Sequence, residues 1–155
     1  MKYFIFLSFF ILTHSAKSQI LKVQTAHKLI TTAISMTDAK KLLNQTHNFI
    51  SQGETSDAGN INYQFESKSS NHYTLNILYS TAFDRIAYIQ IYDDIKQAGN
   101  YRSQFLKLGF TYIKTNYTCS TGRQSYGYEK GNLLYVVELG VVPGQCKIHL
   151  ENKDF

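Results

Sequence analysis

Tyr63-Gln64-Phe65-Glu66 recurs sixty-three positions later as Tyr126-Gly127-Tyr128-Glu129, and how that recurrence is read decides the fold. At the same offset Leu43 matches Leu106, Ile50 matches Ile113, Thr55 matches Thr118 and Gly59 matches Gly122, while Leu42 and Phe49 meet the similar Phe105 and Tyr112. A tandem duplication and a coincidence at a chosen offset both account for these matches. The first predicts two similar halves, 37–92 and 100–151.

Working outward from the first copy, the period is two. Ile61, Tyr63 and Phe65 alternate with Asn62, Gln64 and Glu66, the mark of a half-buried strand. A turn over 67–71 leads to a second strand, Tyr73 to Tyr79, and a third follows over 85–92. In the third, Ala87, Ile89 and Ile91 are expected to face inward and Tyr88, Gln90 and Tyr92 outward. Around the second copy, 125–129 forms a strand and 133–142 carries apolar residues on both faces, which places it centrally in a sheet with cover on each side. Pro143-Gly144, holding the chain's one proline, is a turn. The last strand, 145–151, sends Cys146, Ile148 and Leu150 inward and Lys147, His149 and Glu151 outward.

Helical spacing precedes each set of strands. Leu29, Ala33, Met36, Leu43, His47 and Ile50 share one face over 20–51, as one bent helix or two short ones. Ser35 followed by Asp38 resembles a capping box that would start the second. Residues 52–60 break the pattern and are expected to be a loop. Asp93-Asp94 lies at the amino end of a further helix, where negative charge complements the dipole; Tyr101, Phe105 and Leu108 share its face, and Gly109 closes it. The fold expected is α+β: one antiparallel sheet of about six or seven strands with helices packed on one face, built as a tandem helix-plus-three-strand unit. This layout resembles the β-lactamase-inhibitory-protein family, small exported bacterial proteins that grip an enzyme with an open sheet face. The resemblance is one of architecture across the mature chain and rests on no shared motif, so no contact residue carries over.

Residues 1–18 are expected to be a signal peptide. Lys2 gives a positive start, Tyr3 to Thr13 is almost unbroken apolar sequence, and Ala16-Lys17-Ser18 places small residues where a signal peptidase reads. The apolar run is well short of the roughly 20 residues a spanning helix needs. Cleavage before Gln19 leaves 137 of the 155 residues as a single domain, 19–155, with no membrane span, periplasmic or secreted. Lys2 and Lys17 leave with the peptide, so 16 bases fall to 14 against 11 acids. No basic run exceeds Lys40-Lys41, which argues against nucleic acid as a partner. Both cysteines, Cys119 and Cys146, remain and are expected to pair in an oxidising compartment.

Catalytic signatures are missing: there is no HExxH, GxSxG, phosphate loop or GxGxxG, and the mature histidines, His27, His47, His72 and His149, lack the close spacing of zinc ligands. No cofactor or metal is expected. Tyrosine is abundant, with 12 residues against no tryptophan. Tyr88 and Tyr92 fall opposite their strand's apolar side, and with Gln90, Lys147 and His149 they would form an open aromatic and polar face, a composition suited to protein contact. The expected function is therefore a non-enzymatic exported module that binds a protein or cell-envelope component through that face. An envelope assembly accessory is one alternative. An enzyme with an unrecognised site is another, and it requires a pocket of converging polar groups around His72 or His149.

Overall fold

A computed structural model describes residues 21–32, 34–68, 73–113 and 124–154. The expected signal peptide, Cys119, His72 and Ala33 lie outside the described residues. Of the two expected helical forms, the second holds. Helix α1 (Val23–Thr31) buries Val23, Ala26, Leu29 and Ile30 at the three- and four-residue steps of an amphipathic stripe. Helix α2 (Met36–His47) starts at Ser35, whose hydroxyl accepts from the Asp38 N–H at 3.1 Å. It ends at Asn48, left-handed at φ 55°, a conformation asparagine tolerates. Ile50, expected on the helical stripe, instead lies in a strand and is 44% exposed.

Among the described residues eight strands form one antiparallel sheet: β1 (Phe49–Asp57), β2 (Asn60–Ser67), β3 (Thr74–Ser80), β4 (Arg85–Asp94), β5 (Thr111–Ile113), β6 (Ser125–Lys130), β7 (Leu133–Leu139) and β8 (Gln145–Asn152). A single 3-10 turn (Ile95–Gln97) and helix α3 (Ala98–Lys107) separate β4 from β5. The strand order is β1-β2-β3-β4-β8-β7-β6-β5: two four-stranded meanders joined at β4 and β8. The sheet thus exceeds the expected six or seven strands, and each half supplies four rather than three. The strand not foreseen is β1, expected as the loop 52–60. It lies at the sheet edge, exposed at every position after Phe49, with a bulge between Ser51 and Gly53, so no alternation marks it.

The register places the two quoted tetrapeptides in equivalent positions. Tyr63 lies opposite Ile77 and Ile77 opposite Ile89; Tyr126 lies opposite Val137 and Val137 opposite Ile148. At the junction Ile89 pairs with Leu150, Gln90 with His149 and Ile91 with Ile148. A local two-fold relation between the meanders therefore passes through the Gln90–His149 pair.

The three α-helices among the described residues cover one face. α1 lies on β4 and β8, α2 on β1 and α3 on β7, burying Phe65, Ile77, Ile89, Ile91, Val137, Ile148 and Leu150. Phe105 of α3 is the hub of the aromatic part of this core, 4.8 Å from the Tyr135 ring and 5.4 Å from that of Tyr128. Asp94 caps the 3-10 turn by accepting from the Lys96 N–H at 2.9 Å, the helix-end role expected of the pair. Asp93 departs from it. That carboxylate is 1% exposed and accepts from the Tyr101 hydroxyl at 2.8 Å and the Asp94 N–H at 2.7 Å. Burial, and then the Asp93 charge, push the Tyr101 phenol well above its ordinary range.

Two measurements check this packing. Phe105→Ala removes the aromatic hub and is expected to cost about 3–5 kcal/mol, read from urea denaturation. His27, whose Nδ1 is 2.5 Å from the Tyr135 hydroxyl, has its pKa lowered by burial and then by Lys130; His47, beside Thr25 Oγ1 at 3.1 Å, is lowered by burial and then by Lys22. A histidine with a lowered folded pKa binds fewer protons folded than unfolded, so its penalty is absent above the usual 6.5 and grows as pH falls below it. The melting temperature should drop as pH is lowered from neutrality, and His27→Gln should flatten that slope.

Candidate functional site

The sequence-predicted face is assembled by the β4–β8 ladder. Because β4 and β8 bury Ile89, Ile91, Cys146, Ile148 and Leu150 under the helices, the alternate residues emerge on the opposite side. Tyr88, Gln90, Tyr92, Lys147 and His149 all lie there, each half-buried, with Tyr92 opposite Lys147 and Gln90 opposite His149. They are brought together, but they are not equally available. Lys147 is 19% exposed at its side chain and ion-paired to Glu138 at 3.1 Å, a residue of β7 on the same face. Leu134 and Val136 on this side of β7 are 7% and 6% exposed, so the accessible part of the face is centred on β3, β4 and β8.

A bulge in β4 reshapes one end of it. Leu78 pairs with Tyr88 but Tyr79 pairs with Ile86, so Ala87 is the extra residue and the phase reverses there. Ile86, not Ala87, enters the core; Ala87 instead opens with Tyr88 onto a cleft of about 460 Å³ on the helix-free side. The expected inward set Ala87, Ile89, Ile91 is corrected to Ile86, Ile89, Ile91. Two hairpin tips complete the cleft, Ala58-Gly59 between β1 and β2 and Ala82-Phe83 between β3 and β4. Ala58 and Gly59 both have positive φ, 44° and 81°, the conformation of a tight two-residue hairpin. The Gly59 carbonyl accepts from the Thr81 N–H at 3.0 Å and from the Thr81 hydroxyl at 2.5 Å, which ties one tip to the other.

His149 and Glu151 also line this cleft, where an enzymatic reading needs a proton-transfer group. The imidazole is engaged at both nitrogens. Nδ1 is 3.4 Å from Gln90 Nε2 and Nε2 is 3.1 Å from Glu151 Oε2. With a neutral ring, the Gln90 amide donates to Nδ1 and the ring donates from Nε2 to the carboxylate. Neither nitrogen is then left to abstract a substrate proton, and a general base must reach that proton directly or through one water. The Tyr88 ring packs against the imidazole at 5.4 Å. Among the described residues no group of three or more His, Cys, Asp or Glu could hold a metal ion.

Two further observations complete the site. Asn62 of β2, opposite Leu78 in the ladder, has its Oδ1 buried without a hydrogen-bond partner. Cys146 has no cysteine partner among the described residues; as a thiol it is buried, contacts the Asp94 carbonyl at 3.4 Å and is pushed up to about 12 by burial and then by Asp93, which makes it a poor nucleophile. The chain signalled the face through the alternation of β4 and β8; the cleft depended on the bulge and on the Ala58-Gly59 turn, which lacks the usual Asn-Gly or Asp-Gly of tight hairpins. No protein-family model, curated protein or solved structure matches the chain. No described helix is long and apolar enough to cross a membrane.

Proposed function

We propose that this protein is an exported, non-enzymatic module that binds a protein or cell-envelope component through the helix-free face of its sheet. The observation that carries the reading is the position of Tyr88 and Tyr92: both half-buried, both on the side opposite the three helices, on either side of Gln90. Half-buried tyrosines give contact area at low entropic cost and keep a hydroxyl for a partner. An enzymatic reading draws on the cleft beside His149, but the engagement of both ring nitrogens favours recognition over proton transfer.

Export and the Cys119–Cys146 pairing belong to the same proposal, because a disulfide persists only in an oxidising compartment. Closing that loop would stabilise the fold by roughly 3 kcal/mol in the chain-entropy model.

Immobilised mature protein is expected to retain a specific partner from its organism's exported fraction. Tyr88→Ala with Tyr92→Ala should abolish that capture while the thermal melt persists, whereas Lys40→Ala with Lys41→Ala on α2 should leave it intact. Capture that survives the tyrosine changes rejects this face. Intact-mass analysis of the exported protein should give a chain beginning at Gln19, with neither cysteine alkylated after denaturation alone and both alkylated after reduction.

A further inference from the structure

We infer that the cleft beside Tyr88 receives a lysine or arginine side chain of a partner protein. The inference rests on the reading of the helix-free face as a protein-binding surface and specifies what that surface recognises.

The charge distribution comes first. Followed through the ladder, the described strand positions on the helix-free face hold Asp57, Glu66, Asp94, Glu129, Glu138 and Glu151 against Arg85 and Lys147, with Lys153 reaching Glu129 from just beyond β8. Acids therefore outnumber bases six to three on this face, whereas the described residues as a whole hold 12 bases against 11 acids. Lys40 over Tyr63 and Lys130 beside Leu108 lie on the helix side. An acidic face attracts partners of complementary charge.

The cleft concentrates this feature. Of its lining residues only Glu151 carries a formal charge at neutral pH with the imidazole uncharged, and none is lysine or arginine. Glu151 is 42% exposed at its side chain and its Oε2 is taken by His149; Oε1 makes no contact with a donor among the described residues. Leu78, Phe83 and Tyr88 supply apolar and aromatic wall. A long aliphatic stem ending in a cation fits that combination: the stem packs against Leu78 and the aromatic rings while the cation meets the carboxylate and the ring faces. A neutral apolar side chain would leave Glu151 Oε1 desolvated without a donor, at a cost. An acidic one would be repelled.

The test uses the purified mature protein, isotopically labelled, titrated by NMR with the capped tripeptides acetyl-Gly-Arg-Gly-amide and acetyl-Gly-Lys-Gly-amide, with the Gln and Glu analogues as controls. The cationic peptides are expected to shift the backbone amides of Tyr88, His149 and Glu151 with saturable, salt-sensitive curves. Glu151→Gln should weaken that binding about tenfold or more, while Glu54→Gln, on the α2 side, should leave it unchanged. Equal shifts with the glutamine peptide, no shifts with the cationic ones, or an unaltered affinity in Glu151→Gln would each overturn the inference. Capture that depends on Tyr88 and Tyr92 but is unaffected by Glu151→Gln leaves the face standing as an interface and removes the cationic anchor. Peptide binding at Glu151 without tyrosine-dependent capture does the reverse.

Discussion

The antiparallel ladder between β4 and β8 makes one sheet of two meanders, and every other feature takes its orientation from the phase of that ladder. Because side chains alternate along a strand, one choice of register sends Ile89, Ile91, Ile148 and Leu150 beneath the helices and, as its direct consequence, Tyr88, Gln90, Tyr92, Lys147 and His149 to the other side. A slip of one residue would exchange the two sets and bury polar groups under α1. The core therefore fixes the helix-free face. No separate device has to place the tyrosines, and destabilising the core would disperse them.

Where that phase is continuous, the chain announced its structure. β8 alternates without interruption from Cys146 to Leu150, and β7 carries apolar residues on both sides, with Leu134 and Val136 buried on one and Tyr135 and Val137 on the other, so both strands were legible. β1 was not, since its exposed edge position removes the selection for alternation that a buried face imposes. The duplicated tetrapeptide was legible for a related reason: Tyr63 and Phe65 and their counterparts Tyr126 and Tyr128 meet equivalent cross-strand neighbours in the two meanders, so similar packing demands fall on similar residues. The helices in front of the two meanders differ, two in the first half and a 3-10 turn with α3 in the second, and there the likeness is weakest.

The misses concentrate at the places where a local rule is broken. Ala87 looked inward because the alternation of Ile89 and Ile91 was extrapolated one step too far; a bulge leaves no composition signal when the extra residue is small and apolar. Asp93 looked like a surface cap because it adjoins Asp94, which is one. What distinguishes them is Tyr101, seven positions past the strand end and one helix away, whose hydroxyl satisfies a carboxylate that would otherwise be too costly to bury. A contact of that kind is fixed by tertiary geometry, and nothing in the spacing of Asp93 and Tyr101 singles it out.

The bulge also decides what the face can do. A regular β4 would keep Ala87 under the helices, and the outward row would be the flat polar strip of Tyr88, Gln90 and Tyr92. Shifting the phase by one residue puts Ala87, which has almost no side chain, next to Tyr88, and the space left there becomes the cleft between two hairpin tips held together through Thr81 and Gly59. A larger residue at 87 would fill it. The same local event thus converts a flat sheet surface into one with a concave recess beside an aromatic ring, with Glu151 on its wall. Concavity matters because the energy of protein recognition gathers in anchor side chains that fill pockets, and a flat strip has nowhere to seat one.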